Sequence, residues 1–105
     1  MHYYVHADKF LLRSGVEYGG YLEVCDGKFG RYTKTKPDDV EILDYSGKVI
    51  APGLVDTHIH GFKNHDVMDC DLEGLKVISQ GLLSCGVTSF LPTTLTSSKE
   101  RLTDV

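Results

Sequence analysis

The sequence predicts an α/β protein: a small β-sandwich-like strand region over residues 1–51, then a β-α-β arrangement over residues 52–105. Three observations carry this reading. Aromatic and β-branched residues before position 51 fall in short runs separated by turn residues. Ala51-Pro52-Gly53 is a break between two rhythms. Beyond it, two short apolar runs bracket a stretch with helical periodicity, the order expected of a parallel strand pair joined by a helix.

In the first part, residues 3–12 and 18–29 read as strands. Asp26-Gly27 lies between Val24-Cys25 and Lys28-Phe29, a strong hairpin signal because both turn residues tolerate positive φ. Lys34-Thr35-Lys36-Pro37-Asp38-Asp39 reads as a solvated polar loop. Ser46-Gly47, between apolar runs at 42–45 and 48–50, reads as a second turn.

In the second part, residues 53–57 suit a strand buried on both faces. A loop is expected from 58 to about 70, and Asp69 or Asp71 caps the helix after it. Leu72, Leu75, Ile78 and Leu82, with Val77 and Leu83, recur at helical spacing, and Gly86 is a natural left-handed stop. Gly74 and Gly81 each weaken that helix by roughly 1 kcal/mol relative to Ala, which fits close packing against a sheet. Residues 87–91 form the next strand, and Pro92 ends it. Ser97 with Glu100 three residues on predicts a capping box and a second helix.

The chain has 105 residues, enough for one domain or less, with ordinary apolar (41%) and charged (25%) fractions. A formal charge of −4 without a basic face argues against nucleic acid or an anionic membrane as a main partner. No apolar run approaches the roughly 20 residues that span a bilayer. The first residues lack the basic and apolar regions of a secretory signal. Three irregularly spaced cysteines, Cys25, Cys70 and Cys85, make no disulfide framework and read as small core residues in a reducing compartment. Together these features predict a cytoplasmic protein.

The chemistry concentrates in Pro52-Gly53-Leu54-Val55-Asp56-Thr57-His58-Ile59-His60-Gly61. On a strand, positions i and i+2 face one way, so His58 and His60 project together from its C-terminal end. Two imidazoles so placed can share a divalent metal such as zinc or iron. Asp56 has the same parity and is a candidate to orient a histidine from behind. A His-x-His pair alone is weak evidence, and the Pro-Gly break, apolar strand and following Gly61 give it weight. His65-Asp66 and Asp69-Cys70-Asp71 read as loop and capping residues. Thr93-Thr94 sit at the presumed rim as ordinary strand-end residues, and His2 and His6 as surface histidines.

The stretch from Val49 through Gly61 resembles the start of the amidohydrolase superfamily barrel. Within that superfamily, His65-Asp66-Val67-Met68-Asp69 and Cys85-Gly86-Val87-Thr88-Ser89-Phe90-Leu91-Pro92-Thr93-Thr94 resemble the N-acetylglucosamine-6-phosphate deacetylase family. The resemblance implies that residues 52–105 begin a metal-dependent-hydrolase (β/α)8 barrel, contributing about two strands. It also implies hydrolysis of the acetamide of N-acetylglucosamine 6-phosphate to glucosamine 6-phosphate and acetate, in an enzyme that is usually a homodimer. In this family one or two divalent ions activate a water and polarise the carbonyl, and a carboxylate serves as general base and acid. By resemblance His58 and His60 serve a second metal position. The main metal ligands, the catalytic aspartate and the phosphate-binding residues are expected beyond Val105.

A complete barrel takes about 250 residues, so an N-terminal fragment, inactive alone, is the expectation. The alternatives are another amidohydrolase, dihydroorotase-like or adenine-deaminase-like, and a non-catalytic β-rich interaction module with an accidental histidine pair.

Overall fold

A computed structural model describes residues 1–105, which form two compact units, Met1–Pro52 and Gly53–Val105. In the first unit, strand β1 (His2–Leu12) turns at Arg13 and Ser14 into β2 (Gly15–Tyr18) and β3 (Tyr21–Cys25). Both pair antiparallel with β1 in one continuous register, Leu12 opposite Gly15, His6 opposite Tyr21 and His2 opposite Cys25. The return strand breaks only at Gly19 and Gly20, whose φ angles of 64° and 86° favour glycine. A Cβ at Gly20 would also run into the Tyr32 hydroxyl, which donates to the Gly19 carbonyl at 2.7 Å. The strand-rich stretch 18–29 is divided by this glycine pair, which was not expected, and by the Asp26-Gly27 turn, which was. Both residues of that turn have positive φ, 49° and 75°, and it leads into β4 (Lys28–Thr33).

Strand β5 (Glu41–Ile50) lies parallel to β1 on its other edge. Here the structure corrects the expected turn at Ser46-Gly47. Ala7 pairs with Tyr45 and Lys9 with Val49, so β5 bulges and continues. Two carboxylates hold the bulge: Asp44 accepts from the Ser46 amide at 2.9 Å and from its hydroxyl, and Asp8 accepts from the Gly47 amide at 2.8 Å. The Ser46 hydroxyl, then the Ser46 amide, lower the pKa of the Asp44 carboxyl. All these strands join through β1 into a single five-stranded sheet, so this unit has no second sheet to complete the expected sandwich.

Phe10 and Ala7 are fully buried at 0% exposure, among Val5, Leu22 and Val24, and the Phe10 ring meets Tyr32 edge-on at 5.6 Å. The buried parity along β1 changes from Val5 and Ala7 to Phe10, on either side of the bulge, so simple alternation misses it.

In the second unit, β6 (Leu54–Ile59) and β9 (Val87–Pro92) pair in parallel, joined by helix α1 (Leu72–Ser84). Asp71 caps α1 by accepting from the Glu73 and Gly74 amides, both at 3.1 Å. Gly86, at φ 84°, stops the helix after Cys85. Gly74, Ile78 and Leu82 form the buried stripe of α1 at intervals of four.

The segment expected as a loop is ordered. It forms a hairpin of β7 (Gly61–Phe62) and β8 (His65–Asp66), turned by Lys63 and Asn64 at φ 54° and 63°, then a 3₁₀ turn over Val67–Asp69. Asp66 and Asp69 make a capping box for that turn. Gly74 and Gly81 receive this hairpin rather than the main sheet: a Cβ on either would collide with the His65 or Phe62 ring.

Three further expectations are corrected. Leu54 and Val55 are 63% and 65% exposed, because β6 pairs only with β9 and no layer covers both faces. Helix α2 (Lys99–Asp104) is capped by Ser98, whose hydroxyl accepts from the Arg101 amide at 3.3 Å; Glu100 falls one position short of closing a box. Cys25, Cys70 and Cys85 are exposed thiols at a turn, a left-handed position and a helix end, rather than core residues. No helix is long and apolar enough to cross a membrane.

The Glu23 carboxylate ties β1, β3 and β4 together. It accepts from the Arg31 amide at 3.0 Å and meets His2 Nε2 at 2.9 Å, and these bonds, the Arg31 amide first, hold its pKa below the usual value. Because the folded pKa is depressed, the stabilisation is present above the ordinary carboxylate pKa of about 4.3 and disappears as pH falls through the lowered value. Urea midpoints measured against pH are expected to fall less steeply on the acid side for Glu23→Gln than for the parent chain. Identical slopes would contradict this account.

Candidate metal centre

His58 lies near the C-terminal end of β6, and His60 stands one residue beyond that strand. Their rings meet nearly edge-on, with centroids 4.9 Å apart and planes at 84°, and their Nε2 atoms are 3.1 Å apart. His58 is exposed and His60 half-buried.

The protonation of His60 follows from its neighbours. Its Nδ1 is 2.9 Å from the carbonyl oxygen of Thr93, just past β9. A carbonyl only accepts, so Nδ1 carries the proton, and in the neutral ring Nε2 presents a lone pair. That is the tautomer a metal ligand needs. Without a cation, His58 Nε2–H donates to this lone pair.

The donor set can be tested against metal geometry. Two nitrogens bound to one tetrahedral zinc at about 2.0–2.1 Å stand about 3.3 Å apart. The observed 3.1 Å matches that edge with little movement. The pair supplies two donors, whereas a catalytic zinc takes three protein ligands, and no group of three or more His, Cys, Asp or Glu side chains is gathered in the chain. The residues fit part of a metal site.

The backbone around the pair is tightly held. The His60 carbonyl accepts from the Val67 amide at 2.7 Å, which closes the small hairpin back onto the strand end. Gly61 permits this closure, since a Cβ there would strike the His65 carbonyl oxygen. Asp56 accepts from the His58 backbone amide at 3.1 Å. Its carboxylate thus fixes the main chain at His58, and the group that orients an imidazole is the Thr93 carbonyl.

Of the other candidates, His65 packs on α1 at Gly74, while Asp66, Asp69 and Asp71 cap helical turns. His2 binds Glu23 in the first unit, and His6 donates from Nδ1 to the Gly20 carbonyl at 2.8 Å while stacking on Tyr21. Thr93 is the residue whose part the sequence reading missed. Its only signal was its place directly after Pro92 at the end of a strand.

No protein-family model matches the chain. It is 38% identical over 80 residues to N-acetylglucosamine-6-phosphate deacetylase of Bacillus subtilis (strain 168), a match covering 73% of this chain and 20% of that protein. It is 38% identical over 61 residues to a dihydroorotase of Bacillus cytotoxicus, covering 57% of this chain and 14% of that protein. The crystal structure of N-acetylglucosamine-6-phosphate deacetylase from Pasteurella multocida superposes with a TM-score of 0.87 at 25% identity, over 99% of this chain and 28% of that one. The chain is therefore a relative of N-acetylglucosamine-6-phosphate deacetylases and spans about a fifth of the length of the curated relatives it matches.

The two substitutions at Asp56 separate backbone support from imidazole orientation. Asp56→Asn keeps an oxygen for the His58 amide and is expected to change unfolding free energy by less than about 0.5 kcal/mol. Asp56→Ala leaves that amide without its partner and is expected to cost about 1 kcal/mol. Chemical denaturation checks both, and equal losses would contradict the assignment.

Proposed function

We propose that this chain is the first part of a metal-dependent amide hydrolase that removes acetate from N-acetylglucosamine 6-phosphate. In this reading residues 52–105 open a (β/α)8 barrel, and His58 and His60 hold a divalent ion, zinc or iron, at the C-terminal rim where barrel active sites lie. The observation that carries it is the convergence of the two Nε2 atoms to 3.1 Å, with the His60 tautomer set for coordination.

When bound, the ion lowers the pKa of a water and polarises the amide carbonyl. The chain's own part is to present two lone pairs at a fixed spacing and to hold their backbone still. Asp56 holds the amide of His58, and Val67 and Thr93 hold His60. Two donors alone make a weak site, so the remaining ligands, the general base and the phosphate-binding groups come from other parts of the active protein, which works in the cytoplasm as a homodimer.

The dihydroorotase relative supports a second reading, a cyclic amide hydrolase built on the same strand and histidine pair. Acetate release separates the two. The longest natural product containing these residues is expected to release acetate from N-acetylglucosamine 6-phosphate. Chelation should abolish this activity and His58→Ala or His60→Ala should reduce it, while the 105-residue chain alone releases none. Turnover of dihydroorotate without acetate release would favour the second reading. Turnover of neither substrate, with no metal bound, would favour a non-catalytic module.

A further inference from the structure

We propose that Thr93 is a positioning residue: a single threonine after β9 that locks the end of β6 and fixes which nitrogen of His60 faces His58. The metal role of the histidines is the reading given above, and this inference rests on it only for its purpose. The lock itself stands on hydrogen bonds within the chain.

The register shows what is unusual. Ile59 pairs with Pro92, so in a regular parallel ladder its amide would bond the Leu91 carbonyl and its carbonyl the Thr93 amide. The second bond is present, at 2.8 Å. The Ile59 amide is shared, because it also donates to Thr93 Oγ1 at 3.3 Å, and that hydroxyl donates to the Leu91 carbonyl at 3.1 Å. The hydroxyl thus braces the ladder bond between Ile59 and Leu91, at the place where the pairing register slips between Asp56 and Ile59.

The Thr93 carbonyl then accepts from His60 Nδ1 at 2.9 Å. The amide, hydroxyl and carbonyl of one residue thus engage two successive residues of the facing strand end. Pro92 loses no bond to β6 in this arrangement, because the partners of Ile59 belong to positions 91 and 93.

The brace explains why this position carries a hydroxyl. Valine has nearly the same shape but no donor or acceptor, so Thr93→Val removes the second bond of both the Ile59 amide and the Leu91 carbonyl and leaves their mutual ladder bond unbraced. The strand ends then relax, and the Thr93 carbonyl moves off His60 Nδ1. Serine restores the brace. Thr94 has no part in it, so Thr94→Val serves as the control.

The test uses the full chain labelled with ¹⁵N at histidine, free of metal, at about pH 8, above the ordinary imidazole range. Long-range ¹H–¹⁵N correlation reads the tautomer of each ring. The expected result is His60 as the Nδ1–H form in the parent chain, Thr93→Ser and Thr94→Val, and as a mixture of both forms in Thr93→Val. Zinc titration is expected to show about a tenfold weaker affinity for Thr93→Val, the usual scale for losing a group behind a ligand.

His60 found as Nε2–H in the parent chain overturns the proposal without needing any variant, so a Thr93→Val chain that fails to fold does not shelter it. An unchanged tautomer in folded Thr93→Val also overturns it. If His60 is Nδ1–H and responds to the substitution, yet zinc shifts neither ring, the lock stands and the metal reading fails.

Discussion

The second unit depends on how two parallel strands end together. A parallel pair has no tight turn to fix its ends, so something else must hold β6 and β9 at the point where the histidines emerge. Here that task falls to Thr93, which bonds Ile59 through its amide and hydroxyl and His60 through its carbonyl. Once this corner is fixed, the remaining local geometry follows. Val67 returns to the His60 carbonyl, the small hairpin folds against Gly74 and Gly81, and Met68 is carried into the buried layer with Ile78 and Leu82.

The first unit is built on a different constraint. One strand, β1, pairs along both edges, so its residues must meet the register of β3 and β2 on one side and β5 on the other. The two sides disagree near Asp8, and the conflict is absorbed by a bulge in β5 and by the glycine pair opposite Ala7 and Asp8. Carboxylates at Asp8 and Asp44 satisfy the backbone amides the bulge exposes. This is why a polar Asp-Tyr-Ser-Gly segment sits within a continuous strand.

Much of this was legible in the sequence, for reasons that differ by element. The Asp26-Gly27 hairpin, the Asp71 cap, the Gly86 stop and the α1 stripe are set by neighbours within four residues, and local chemistry identifies them. The bulge at Ser46-Gly47 looks like a turn because the residue types are those of a turn; only the partner strand, almost forty residues away in Asp8, shows otherwise. The ordered hairpin after His60 escaped because Lys63-Asn64 is a weaker turn signal than Asp-Gly, and its stability comes from helix glycines that receive its rings. The His58 and His60 juxtaposition follows from strand parity alone. The partner of His60 was not legible, because a backbone carbonyl has no signature in sequence.

The account turns on whether the two Nε2 atoms bind one ion. X-ray absorption at the zinc edge of the zinc-loaded, longest natural form, compared with His58→Ala and His60→Ala, measures this directly. Imidazole nitrogens at about 2.0–2.1 Å, reduced in number by each substitution, are the predicted result. An unchanged imidazole shell in both variants would place the metal elsewhere and contradict the account.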